Sequence, residues 1–326
     1  MKNSITILFI LILFQSCASQ SNTDATIDLI KRVETDLTTR VHIEGDSTWS
    51  IEERMKHYGI PGVSIAVIHP DFPILEDRYL NQKPPGLIPE LFAPGIVSTK
   101  EHLETEVLFL PDMTELSFTR SGGQYKEPTW FVMQYKKNGW SRKSIPLADI
   151  DQYKERFSPN VSEIKSFEPF KDIPIVGFTI SAKGTYYFYV LDFKDGSGYM
   201  SYSRLIDGKY EEPQKLSKAI NRGKYIAHPF IAPDESYLLW DAEIEGENTP
   251  DIYISFRKKD GSWGEAINMG DKINSAFYEQ RPKVTPDGKY LFFWKGDVKV
   301  REDGSRYVIG NPYWVDAQII ENLRPQ

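Results

Sequence analysis

The sequence predicts an all-β protein, a β-propeller built from four-stranded blades and preceded by a short helix-strand element. Two observations carry that expectation. A Pro-Asp turn between strand-like runs recurs along the chain, in "FLPDMTELSFTR" (109–120), "IAPDESYLLW" (231–240) and "VTPDGKYLFFW" (284–294), with a worn copy in "ISAKGTYYFYV" (180–190). A second strand, Gly turn, strand signature follows the first, second and third of these in chain order, with an aromatic just after the turn at Trp140, Tyr210 and Trp263.

Each element has a local reason. Proline presets the φ of the first turn position, and the aspartate beside it can bind the backbone two residues on, so Pro-Asp closes a hairpin. The flanks "HPFIA" and "SYLLW" carry the β-branched and aromatic residues that suit a half-buried pleated surface. Aligning Pro111, Ala182, Pro233 and Pro286 gives spacings of 71, 51 and 53 residues, close to propeller periods of about 40 to 50 residues per blade except for the first. The surplus in that first spacing contains "FSPNVSEIKSFEPFKD" (157–172), which reads as a truncated fifth blade. Radial repetition leaves only short, protected sheet edges, which favours a propeller over a sandwich. The segment "PELFAPGIVS" (89–98) parallels "GEAINMGDKINS" (264–275), so the N-terminal end of the domain is expected to supply the missing fourth strand of the last blade.

The domains expected are a signal peptide over 1–17, a tether over 18–40, a helix-strand fragment over 41–75 and the propeller over 84–326. Lys2, the apolar run "ITILFILILF" (5–14) and the single cysteine, Cys17, form an export signal. It resembles a bacterial lipoprotein signal, with Phe14 where that family usually carries Leu, and the resemblance implies lipidation at Cys17. No other apolar run reaches the roughly 18 residues of a membrane span, so membrane association would come through the lipid, in the periplasm or at the cell surface. A net charge of −7 and a pI near 5.4, without a basic run, point away from nucleic acid.

In "SIEERMKHYGIPGVSIAVI" (50–68), Ser50 and Glu53 stand in capping-box spacing and Gly59 ends the helix. The stretch resembles the opening helix and first strand of class C β-lactamase-type serine hydrolases. That family implies a Ser-x-x-Lys nucleophile and a Tyr-x-Asn pair. Ser162 and Lys165 in "SEIK", and Tyr79 and Asn81 in "YLN", have those spacings but occur in reversed order, with "SEIK" in strand-like surroundings. The chain therefore reads as carrying the first element of a hydrolase without its active site. The Pro-Asp units themselves resemble the TolB-like, WD-like repeat propellers of bacterial envelope proteins, in "APDESY", "DIYISFRKKDGSWG" and "TPDGKYLFF". That resemblance implies a non-catalytic envelope scaffold binding a protein, a glycan or a small polar ligand. A hydrolase or lyase using the channel or the serine-hydrolase remnant is the alternative.

Candidate site residues follow from repeat equivalence. Five residues before each turn position stand Glu106, Gly177, His228 and Arg281, at the start of the strand nearest the propeller axis. An acceptor, a titratable donor and a fixed cation meeting at the channel mouth suit a polar or anionic ligand, or else satisfy one another as a salt-bridged plug. No cofactor is expected and no metal: the five histidines lack ligand spacing, and the acidic stretch "DAEIEGENTPD" (241–251) reads as a solvated loop.

Lipidation at Cys17 makes a direct prediction. The wild-type protein should partition with membranes, and Cys17→Ser should release it to the soluble fraction. Equal solubility of the two would reject the anchor.

Overall fold

The computed structural model describes Lys56 and residues 78–325, apart from 137–138, 146–149, 159, 245, 247–248 and 302. The signal, the tether and the β-lactamase-like helix-strand fragment lie outside the described residues. Among the described residues no helix is long and apolar enough to cross a membrane.

The described chain is a β-propeller of four four-stranded antiparallel blades. The first blade runs β2 (Leu103–Phe109), β3 (Glu115–Gly122), β4 (Tyr125–Lys136) and β5 (Gly139–Ile145). The second pairs β6 (Ile175–Ile180), β7 (Tyr186–Leu191), β8 (Gly198–Ser203) and β11 (Gln214–Lys215), with a separate small hairpin of β9 (Leu205–Ile206) and β10 (Lys209–Tyr210). The third comprises β12 (Tyr225–Ile231), β13 (Tyr237–Glu243), β14 (Asp251–Phe256) and β15 (Ile267–Asn268). The fourth contains β16 (Tyr278–Val284), β17 (Tyr290–Val300) and β18 (Arg306–Asp316). Its outer strand is β1 (Glu90–Leu91), which pairs antiparallel with β18 through Glu90↔Trp314 and Leu91↔Tyr313.

The ring is thus closed by the start of the domain, as the "PELFAPGIVS" parallel implies. One residue past each short outer strand, the same backbone bond recurs: Leu216 N–H to Met200 C=O, Met269 to Ile252 and Phe92 to Pro312, each 3.0 Å. Five or six residues on, a side chain reaches that same carbonyl. Asn221 and Asn274, each five residues on, donate to Met200 and Ile252 at 2.9 Å, and Ser98, six residues on, donates to Pro312 at 3.4 Å. The closing segment is a fourth-strand unit in full, displaced to the other end of the sequence.

The Pro-Asp turns behave as their chemistry requires. Asp112 Oδ1 accepts the Thr114 N–H, Asp234 Oδ1 that of Ser236 and Asp287 Oδ1 that of Lys289. The residue after each aspartate takes a left-handed φ: Met113 59°, Glu235 64° and Gly288 73°. Glycine adopts this freely, whereas Met and Glu do so at a cost of about 1 kcal/mol or more. Glu235 is held there by Ser181 Oγ at 2.8 Å, across the blade boundary, and by Arg257 at 3.1 Å. The second blade departs from the motif with a physical reason: Ala182 donates its N–H to Pro233 C=O at 2.9 Å, which proline could not do.

Two expectations are corrected. Residues 157–172 are not a truncated blade. The surplus chain forms two helices, α1 (Ile150–Phe157) and α2 (Val161–Ile164). In α1, Ile150, Tyr153 and Phe157 recur at helical spacing and pack against Leu108, Trp130, Val132 and Ile145 of the first blade. The buried Ile164 and Phe170 pack instead on Ile175, Phe188 and Val190 of the second. The aromatic after the Gly turn is also not always in the fourth strand: Tyr210 belongs to the small hairpin and Trp263 to an isolated bridge with Arg257.

Large side chains fill the other blade boundaries. Phe92, Phe118, Phe292 and Trp314 join the first and fourth blades, Tyr187, Met200, Leu238 and Trp240 the second and third, and Leu239, Ile254, Leu291 and Val315 the third and fourth. After β18 the short helix α3 (Gln318–Glu321) buries Ile319 and Ile320 against the last of these.

Closure by a noncovalent outer strand predicts that removing it destabilises the whole ring. Phe92 and Val97 are fully buried, so Phe92→Ala should cost about 3–5 kcal/mol in denaturant unfolding. Deleting residues 84–98 should cost more, and a deletion variant melting at the wild-type temperature would sink the idea.

Candidate functional site at the channel axis

Strands β2, β6, β12 and β16 are the innermost of their blades, and each carries a register shift of one extra residue in its pairing with the next strand. Such a bulge re-aims the side chains of the strand that contains it. In three blades the bulge holds a non-glycine residue in the left-handed region: Glu106 at 52°, His228 at 48° and Arg281 at 58°. These are the three charged or titratable positions marked by repeat equivalence. The fourth, Gly177, lies beside a bulge without a left-handed φ, and a Cβ there would come within 2.7 Å of the Tyr189 ring. That ring uses the space instead and faces His228 with centroids 5.4 Å apart.

The structure brings the three residues into one network. Arg281 Nη1 donates to Glu106 Oε1 in a short ion pair that leaves about a third of each side chain accessible, 35% and 32%. His228 Nδ1 lies 2.9 Å from Asp241 Oδ1. Asp241, on β13, is fully buried. It also accepts the backbone N–H of Arg281 at 2.9 Å and a contact from Gln280 Nε2 at 3.4 Å. Gln280 Nε2 donates in addition to the Tyr225 hydroxyl at 3.1 Å. The bulge in β16 takes the Arg281 N–H out of the ladder, and Asp241 on the neighbouring blade receives it.

The electrostatics follow the geometry. Burial works to raise the pKa of Glu106, but Arg281, Lys283 and His228 outweigh it and hold the carboxyl below its usual value. Burial likewise opposes the charge on Arg281, and Glu106 and Asp241 more than restore it. Tyr189 is pushed up to about 12, chiefly by burial, and Tyr225 is raised further by burial and Asp241. Lys283 is lowered by burial, with Glu106 as the partial counterweight.

Next to this polar layer, the same four inner strands enclose a half-open chamber of about 210 Å³. Its walls include Phe109, Phe178, Phe230 and Phe292, with Phe157 contributed by the end of α1. Lys283 is the one charged residue among those lining it.

The sequence missed Asp241, Gln280, Tyr225, Tyr189 and Lys283. Asp241 has a signal, an acid inside the otherwise buried run "YLLWDAE", and the structure places it in β13 and not in the solvated loop expected over 241–251. The remaining elements of that acidic stretch do not converge on it: Asp251 accepts from Asn268 Nδ2 at 2.8 Å, and Glu245 and Glu247 lie outside the described residues. Among the described residues no group of three or more His, Cys, Asp or Glu is placed to hold a metal.

The hydrolase-like spacings are not brought together. Ser162 is in α2, its N–H capped by Asn160 Oδ1 at 2.9 Å, and Lys165 ends that helix. This corrects the strand-like surroundings expected for "SEIK". Tyr79 is fully buried among Phe109, Tyr290 and Trp314, with its hydroxyl donating to Asp287 at 2.7 Å. It anchors a turn in the core.

Neither the protein-family models nor the curated proteins compared match the chain. Among solved structures it is similar to TolB from Acinetobacter baumannii (13% identity over 65% of this chain and 43% of that one, TM-score 0.28). It is also similar to a variant of the NanB sialidase from Streptococcus pneumoniae (10%, 64% and 30%, TM-score 0.29) and to a puromycin hydrolase (14%, 66% and 33%, TM-score 0.26). The chain spans less than half the length of each. Overlaps this loose transfer no activity, so the chemistry rests on the residues of the channel.

The Glu106–Arg281 pair sets an acid dependence. A carboxyl whose folded pKa is depressed contributes stability that is present above its unfolded value, about 4.3, and lost as pH falls through the folded one. Glu106→Gln should therefore lower stability at neutral pH. The expected loss is about 1–2 kcal/mol, less than for a fully buried pair because a third of each side chain stays solvated. The variant should lose less than wild type between about pH 5 and 3. Parallel stability profiles for the two proteins would contradict this assignment.

Proposed function

We propose that the chain is a non-catalytic, envelope-associated propeller, anchored through a lipid on Cys17, that binds a protein, glycan or small polar ligand at Glu106, His228 and Arg281. The observation that carries the reading is the left-handed φ of all three residues. Glycine would relieve that strain, worth about 1–3 kcal/mol per residue, and strained positions concentrate at functional sites. Three chemically different side chains are retained there instead, converging on one network with about a third of the Glu106–Arg281 pair left accessible.

The chemistry of the site fits recognition better than reaction. Arg281 offers a planar fork only partly used by Glu106, and His228 offers a ring nitrogen beyond the one facing Asp241. Ser162, Lys165, Tyr79 and Asn81 do not assemble into a nucleophile and base.

A thermal-shift screen of the purified protein against envelope glycans, peptidoglycan fragments and envelope proteins should find a binder. His228→Ala and Arg281→Ala should then weaken its affinity at least tenfold. Reduced melting temperature with unchanged affinity would instead make the cluster a structural plug and reject the site.

A further inference from the structure

Lys283 stands two residues beyond the left-handed bulge of β16, where the channel passes from the polar layer into the apolar chamber. Among the described residues its ammonium makes no hydrogen bond or ion pair, and its electrostatic neighbours are Glu106 and Arg281, already committed to each other. Of the lining hydroxyls, Thr285 Oγ1 donates to Asp287 at 2.7 Å and Thr179 Oγ1 accepts the Ile231 N–H at 3.4 Å, while Ser158 reaches the wall from the end of α1. The remaining walls are largely aromatic and aliphatic.

We propose that this chamber is a binding site for a small monoanion with an apolar body, an aromatic or short aliphatic carboxylate whose charged end meets Lys283. The inference rests on the reading of the propeller as a binding protein and gives that reading a ligand class. Size sets the first limit. An apolar cavity of about 150 Å³ holds a benzene ring, so 210 Å³ matches a ring with a carboxylate and falls short of the roughly 300 Å³ at which pockets for drug-sized molecules begin. Charge sets the second: an unpaired ammonium beside apolar walls is stabilised by one anionic partner, while a dianion would bring a second charge to be desolvated with no second cation lining the chamber to pair it. The phenylalanines supply burial for the body of the ligand and Lys283 its orientation.

Benzoate is the probe, with benzyl alcohol and benzylamine as neutral and cationic controls of the same size, titrated calorimetrically into the full exported chain. Benzoate should bind the wild type, more than tenfold weaker to Lys283→Met, and neither control should match it. Equal affinity for benzyl alcohol, or for benzoate in wild type and K283M, would overturn the proposal. Should K283M fail to fold, nuclear Overhauser contacts from the benzoate ring to Phe178 and Phe230 in the wild type decide it, and their absence overturns the site. A glycan or protein bound through His228 and Arg281 without any benzoate binding overturns this inference and leaves the wider reading standing.

Discussion

A blade is incomplete until its third strand finds a fourth, and the structure depends on how that edge is satisfied. An open strand exposes a row of N–H and C=O groups that pairs with whatever is offered. In the second and third blades the next stretch of chain supplies the partner. In the fourth there is no such stretch before the chain reaches α3, and residues 90–98 take its place with the same backbone bond and the same side-chain tie to the β18 carbonyl. Because β18 also meets β2 across a parallel bridge at Gly310↔Leu103, the junction of the first and fourth blades is held by chain segments far apart in sequence. The inner strands, and hence the channel, keep their places only while that junction holds.

Inside the ring, burial and charge are reconciled by pairing between neighbouring strands of one blade, with a hydroxyl added from the fourth-strand segment that precedes it. Glu104 and Glu279 are fully buried at equivalent positions of the first and fourth blades, and each is answered alike. Arg120 and Thr99 meet Glu104 at 2.8 and 2.7 Å, and Lys295 and Ser275 meet Glu279 at 3.1 and 2.6 Å. A buried carboxylate is tolerated only with a cation and hydrogen bonds around it, and here the repeat reproduces the whole set. The Asp241 network is different, because no other blade repeats it. One acid gathers a histidine ring, a displaced backbone N–H and a glutamine from two blades. Repeated sets serve the scaffold, and the unrepeated one faces the axis.

The fold was largely legible because its signals are local. Pro-Asp turns, aromatic strands and the fourth-strand parallel each need only a short window of residues and a fixed offset. Repeat equivalence also located Glu106, His228 and Arg281, since it needs only the register of one strand in each blade. It failed where partners come from other strands: Asp241 lies on β13 and Tyr189 on β7, and nothing in their own neighbourhoods says that they face the axis. Sequence reasoning fails again over 157–172, where the strand-like fragment suggests an extra blade, although just upstream Ile150, Tyr153 and Phe157 recur at helical spacing. The length of the surplus dominated over its period.

That surplus bears on the channel itself. The two helices pack separately, α1 on the first blade and α2 on the second, whereas at the other blade boundaries one cluster joins sheet to sheet. Phe157 and Ser158, at the end of α1, reach the chamber wall. A blade in that place would have brought a fifth inner strand with its own bulge position and a further side chain to the polar layer. The helix brings a phenylalanine to the apolar layer instead. The channel thereby acquires two chemistries along one axis: a ring of paired charges fixed by left-handed bulges, and an aromatic chamber beside it. Lys283 is the residue at which they meet, close enough to Glu106 to feel its charge and far enough along β16 to be surrounded by carbon.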